Sequence, residues 1–254
     1  MENIESIQNK LKDLTEKSKD WSPTRETSQY EIEYVDFPFG TRKVAKFSEL
    51  TKLLQSSRGV RFYTEEIEEF VQKYKEHSEL HDFDIARKKE IEVFKEKNLI
   101  KLNHEKEFYE YGFRYPAVID SWKNSFANSR GCDITDVNVF AAKSCGYDVE
   151  VCDLNVSVPI LKDVSLLVAY HVLEHVSDPL KAIINTYNSL SRGAVFHVEI
   201  PVEPDGPRLR YAHLFPFHPN DLRKMLEIAG FNIVFYTKTP FPGGPEIERA
   251  IAVK

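Results

Sequence analysis

Glycine is scarce in this chain, at 10 of 254 residues, about 4% where about 7% is usual. A fold that wraps its backbone around a ligand with a run of glycines has little to build with. Cysteine is scarcer still. Cys132, Cys145 and Cys152 are three in number and form no Cys-x-x-Cys pair. That excludes a disulfide framework or a zinc ribbon and fits a reducing, cytoplasmic setting. No run of 18 apolar residues occurs, so no membrane span is expected. Residues 1–20 are polar, without the apolar centre of a signal peptide. A net charge of −6 offers no basic surface for nucleic acid.

What is present divides into two textures. Residues 61–110 hold 14 acidic and 10 basic side chains, a density that predicts mostly solvated helices. Thr64, Glu65 and Glu66 read as a cap and a negative first turn. Ile67, Phe70, Val71 and Tyr74 follow at helical spacing. A second charged helix is expected over 83–97, a polar helix over 1–19, and a strand over 30–39. We read residues 1–112 as a mainly helical cap or substrate region. From about residue 115 onward, strand-length apolar runs alternate with helical patterns, and we read residues 113–254 as one α/β domain.

In that second part, Asp148–Leu154, Val164–Tyr170, Ala194–Ile200, Phe231–Tyr236 and Ile247–Val253 are the expected strands. Val164–Tyr170 is almost wholly apolar, as in a parallel strand buried on both faces. Ser177-Asp178-Pro179 supplies a cap and a proline for the first helical position, and Gly193 the exit. Asn220 begins a helix that ends at Gly230. In open α/β sheets, ligands gather at the carboxyl ends of strands. The residues to watch are therefore Asp153, then His171, Glu174 and His175, then 203–213. The string His171-x-x-Glu174-His175 matches a zinc-peptidase pattern. That mechanism needs both histidines on one helical face. Here they fall in a turn after a strand, so no metal is expected from this motif.

The run AYHVLEHVSDPLKAI, residues 169–183, resembles the fourth-strand region of class I S-adenosylmethionine-dependent methyltransferases, in the branch with the "LEHv-dP" signature. Ala194–Pro201, the segment 211–215 and LRKMLEIAGF at 222–231 are similar to later elements of that family. The resemblance implies a Rossmann-like sheet with helices on both faces, preceded by the helical region. It implies S-adenosylmethionine as cofactor and a small-molecule acceptor, a sugar, glycan or secondary-metabolite intermediate among them. Neither nucleic acid nor membrane is expected as a partner; a homo-oligomer or a protein partner is compatible with the sequence. The alternative function is a methyltransferase-like scaffold without catalysis.

The family opens its sheet with a strand, an acid and a glycine-rich turn of type D-x-G-x-G-x-G. Two registers are open. In the preferred one, Ala117–Asp120 is the first strand and residues 121–126 replace the turn. Asp136 and Asp153 are then the acids after strands two and three. In the other, Asp133 heads the turn and Asp153 follows strand two. Both leave the turn without glycine. The resemblance assigns Asp120, Asp136, Asp153, Leu154, Tyr170 and His171 to the cofactor. His213 is the expected general base, because its ordinary pKa suits deprotonation of an acceptor. Tyr211 would orient it and His175 stand beside it. Arg208 and Arg210 would clamp an acceptor anion.

Overall fold

The structure is a computed structural model that describes residues 4–19, 31–46, 66–208, 212–240 and 245–254. Thr64, Glu65 and the pair Gly243-Gly244 lie outside the described residues. The order of elements is α1 (Ile4–Lys19), β1 (Ile32–Phe37), β2 (Gly40–Ala45), α2 (Ile67–Glu76), α3 (Asp82–Glu96), β3 (Glu107–Tyr111), α4 (Ala117–Trp122), β4 (Asn128–Asp133), α5 (Asp136–Ser144), β5 (Asp148–Val151), β6 (Val164–Tyr170), a single 3-10 turn (Leu173–His175), α6 (Pro179–Ser189), β7 (Val195–Pro201), α7 (Asp221–Ala229), β8 (Asn232–Pro240) and β9 (Glu246–Val253).

Seven strands form one sheet in the order β5-β4-β3-β6-β7-β9-β8. The strands from β5 to β7 are parallel, and β9 runs antiparallel to both β7 and β8. The innermost strands explain themselves by composition. All seven residues of β7 are buried, and six of seven in β6; the apolar residues of both gain from a central place, while His197 and Glu199 of β7 need partners there. Asp178 accepts a hydrogen bond from the Lys181 amide and Pro179 follows it, which starts α6 where the sequence suggested. Gly230 ends α7 in the left-handed conformation.

Two cores flank the sheet. On one face, Ile7 and Leu11 of α1, Phe70 and Tyr74 of α2 and Ile91 of α3 pack with α4 and α5 over Phe108, Leu166, Val168 and Val195. On the other, α6 and α7 cover Leu167, Ala169, Phe196 and Val198, joined there by Val44 of the β1–β2 hairpin. The N-terminal helices thus form part of one layer of the sheet.

The first strand corrects the sequence reading. Ala117–Asp120 belongs to helix α4, and Asp133 ends β4, the second strand. Both registers therefore fail. The first strand of this sheet is β3, at residues 107–111, within the stretch read as charged helices and upstream of residue 113. Four of its five residues are buried, Glu110 among them. Two glutamates in five residues disguised it. No helix among the described residues is long and apolar enough to cross a membrane.

The hairpin is fastened by charge. Arg42 Nε and Nη2 donate to Asp221 Oδ2 and Oδ1 at 2.7 and 2.5 Å, with both side chains buried. Removing one partner of such a pair costs about 3–5 kcal/mol, because the other charge stays in the interior. We expect Asp221→Ala to lower the thermal midpoint by about 10 °C. The double variant Arg42→Met with Asp221→Leu should recover most of it; calorimetry of both checks this.

Candidate active site

A cavity of about 600 Å³ opens at the carboxyl ends of β3, β4, β5 and β6. Its position follows from topology. From β3 the chain steps to β4 and β5 on one side, then crosses to β6 on the other, leaving a crevice where the direction reverses. Each strand delivers residues to it: Glu110 and Gly112 from β3, Asp133 from β4, Asp153 and Leu154 after β5, Tyr170 and His171 from β6.

The turn after β3 reads Glu110-Tyr111-Gly112-Phe113-Arg114. This is the acid-x-Gly opening that the sequence reading sought further along. Gly112 has φ +63, and a Cβ there would stand 2.6 Å from a methyl of Val172. Arg114, at the next glycine position of the family pattern, also takes a positive φ of +46. One glycine is therefore present in the turn, and an arginine adopts the backbone conformation of another.

Several buried polar atoms of the wall make no hydrogen bond within the protein. Among the described residues they include Glu110 Oε2, both amide atoms of Asn138 and the Tyr115 hydroxyl. Glu110 and Asn138 are only 5% and 1% exposed. Burial, then the nearby Asp84 carboxylate, pushes the Glu110 carboxyl well above its usual range. A buried polar group without a partner costs free energy, so these groups cluster where a polar ligand would repay it.

One side of the cavity is an ion-pair network around Glu199, at the end of β7. Arg87 of α3 donates to Glu199 Oε1 and pairs with Asp84 at 2.6 Å. Arg249 of β9 donates to Glu199 Oε2 at 3.2 Å. His171, at φ +55, places Nε2 3.1 Å from Glu199 and Nδ1 3.3 Å from Glu174. Burial favours a neutral His171, but the two carboxylates outweigh it and push its pKa up to about 9. Burial likewise opposes ionisation of Glu199, yet His171 and Arg87 bring it down to about 2. Arg87 also lies 4.4 Å from the centre of the Tyr170 ring.

The opposite wall gathers Glu174, His175 and His213. The 3-10 turn fixes Glu174, whose carbonyl accepts from the amides of Leu214 and Phe215 and so pins the 212–217 segment. His175 Nδ1 donates to the Ala212 carbonyl at 2.9 Å. Burial brings the His175 pKa down to about 4, so the ring is neutral. His213 Nδ1 lies 2.7 Å from Oε2 of buried Glu203. The two imidazoles meet edge to face at 4.9 Å.

Of the residues expected from sequence, Asp153, Leu154, Tyr170, His171, His175 and His213 all line this cavity. Three do not. Asp120 is exposed on α4 beside Tyr147 and Lys123. Asp136 opens α5 and pairs with Lys10. Asp133 ends the second strand in its place, with Oδ2 and Oδ1 taken by the amides of Arg114 and Thr135. Arg208 stands behind the wall, its Nε 3.4 Å from Glu203. Arg210 and Tyr211 lie outside the described residues. Glu110, Asn138, Arg87 and Glu199 were not singled out; Glu203 fell within the 203–213 stretch without a role of its own. Glu110-x-Gly112 carried a signal, hidden by the charge around it; Arg87 reaches Glu199 from 112 residues away, which no local pattern announces.

Solved structures share this architecture. An S-adenosylmethionine-dependent methyltransferase from Clostridium acetobutylicum matches with a TM-score of 0.54 at 12% identity, over 73% of this chain and 98% of that one. One from Aquifex aeolicus matches at 0.51 and 15%, over 72% and 97%. The cyclase SpnF matches at 0.54 and 16%, over 67% and 80%. No family model matches the sequence, nor does any curated protein. The fold is a Rossmann-like mixed seven-stranded sheet flanked by helices, as in these methyltransferase structures.

The buried Glu110 carboxyl leads to a measurable pH effect. The unfolded chain loses this proton near pH 4.5, whereas the folded chain keeps it well above that. Folding therefore binds a proton, and stability falls as pH rises past 4.5. Glu110→Gln should raise the thermal midpoint, and the gain should widen between pH 5 and 8. Melting curves of both proteins across that range decide it.

Proposed function

We propose that this chain is an S-adenosylmethionine-dependent methyltransferase acting on a small molecule. The observation that carries the reading is the group of unpaired polar atoms on Glu110, Asn138 and Tyr115, set in a cavity at the reversal point of a methyltransferase-type sheet. A protein that used the fold as a plain scaffold would gain by replacing them with apolar groups.

Glu110, Asn138, Asp153 and Leu154, with the backbone of the 110–114 turn, would hold the cofactor. Glu79 and Asp153, wall carboxylates without a cationic partner among the described ion pairs, suit a ligand with polar and cationic groups. When bound, the cofactor supplies a methyl group activated by a sulfonium. The chain's own work is then largely placement. Tyr170, stacked under Arg87 and hydrogen-bonded to His197 at 2.8 Å, cannot shift without disturbing the Glu199 network. It is a rigid partition between the two walls. Glu203 orients His213 through Nδ1, which leaves Nε2 as the basic nitrogen of that ring. His213 is the residue we assign to receive the acceptor's proton. Neutral His175 packs against it and confines its ring.

The neighbours differ in reaction. SpnF is named for a 4+2 cyclisation, so the fold alone does not fix the chemistry. Titration with S-adenosylhomocysteine by calorimetry is the direct test. One molecule should bind, and Glu110→Gln and Asn138→Leu should each weaken binding at least tenfold while the protein stays folded. No heat at millimolar ligand would overturn the proposal. With an acceptor in hand, His213→Ala should lower turnover by about 10²–10⁴, with little change in cofactor affinity.

A further inference from the structure

We infer that Glu174, His175 and His213 form a three-ligand site for a divalent transition-metal ion on the acceptor wall of the cavity. One ligand atom from each lies within 4.8 Å of the other two. An ion held at about 2.0–2.2 Å brings such atoms to roughly 3.4 Å, a closure within reach of side-chain rotation.

The surroundings favour this use. A metal-binding imidazole commonly donates its second N–H to a carbonyl or carboxylate, which fixes the ring and raises its basicity. Both rings here are held that way. Nδ1 of His175 donates to the Ala212 carbonyl, and Nδ1 of His213 to Glu203. Each ring thereby presents Nε2, and the two rings stand 82° apart in plane. Glu174 is 0% exposed, and among the described residues Oε2 accepts no hydrogen bond while Oε1 has only the His171 imidazole as a close cation. Oε1 has the His171 imidazole at 3.3 Å and His213 Nε2 at 4.0 Å. A buried carboxylate so sparsely matched gains from a cation.

Two imidazoles and one carboxylate suit zinc, manganese or ferrous iron better than calcium or magnesium. Three protein ligands beside an open cavity leave a position for a small oxygen ligand, as catalytic sites do and structural ones do not. The inference deepens the proposed function and, for its consequence, rests on it. With the ion bound, His213 would be a ligand through Nε2 and no longer the proton acceptor it is in the metal-free site; the ion would take over that role by acidifying an acceptor hydroxyl at the open position. The proton then leaves to solvent or buffer. Binding of the ion itself does not depend on that reading.

The test uses the full chain, free of affinity tags and stripped with a chelator. Zinc chloride and manganese chloride are titrated separately by calorimetry. One equivalent of zinc should bind with micromolar or tighter affinity. His213→Ala and Glu174→Gln should each weaken it at least tenfold, and Glu203→Gln by about 10–100-fold. His171→Gln, which withdraws the competing cation from Glu174, should preserve or tighten it. No uptake of either metal by the unaltered chain, or equal weakening by all four substitutions, would overturn the site. S-adenosylhomocysteine titrated into the stripped protein separates the two ideas. Binding there with no metal uptake sinks the metal site alone, and metal uptake without it sinks the methyl-transfer reading alone.

Discussion

The carboxylate of Glu199 sets the terms for much of this molecule. It is 1% exposed at the end of a central strand, and a lone carboxylate cannot be kept there ionised. Three cations from three regions answer it: Arg87 from α3, His171 from the turn after β6, and Arg249 from β9. None of the three lies near it by chance. The N-terminal helices are held against the sheet partly because Arg87 must reach it. The turn that carries Glu174 and His175 takes its unusual backbone at His171 for the same reason. The wall of the cavity is, in this sense, the outside of a charge cluster.

That arrangement separates two chemistries in one pocket. Around Glu110, Asn138 and Tyr115 the wall holds polar groups still lacking partners. Around Glu174, His175 and His213 it holds two rings whose Nδ1 atoms are already committed. Tyr170 and His171 stand between. The first region suits recognition of a polar ligand by unfilled hydrogen bonds. The second suits handling of a proton or of a Lewis acid. Neither would persist without the rigid ion pairs behind it.

Much of the fold was legible in the sequence, and the reason is burial. Val164–Tyr170 reads as a two-sided buried strand because it is one, and Asp178-Pro179 starts a helix by local bonding alone. The family resemblance at 169–183 located the wall that carries His171 and His175. The first strand was not legible, because its apolar residues are split by Glu107 and Glu110 and preceded by charged helices. With it went Gly112, so the sheet seemed to lack its turn, and Asp120 and Asp136 were assigned places that belong to other elements. The pairing of Arg87 with Glu199 is a property of tertiary structure alone. The His213–Glu203 bond spans only ten residues, yet it depends on a loop conformation that no periodicity encodes.

The strand order has a consequence for how the chain is made. The first strand of the sheet, β3, has β4 and β6 as its immediate neighbours, and β9, the last strand in the chain, is inserted between β7 and the edge strand β8. A ribosome delivers α1, α2 and α3 long before Val168, Val195 and Ile251 exist to cover their apolar sides. Arg249, one of the cations on Glu199, lies in β9 and follows all three helices in the chain. The apolar sides of these helices are therefore covered largely by strands that follow them in the chain. The dense surface charge of the helices, which hid the first strand from the sequence reading, is what keeps them dissolved until those strands follow.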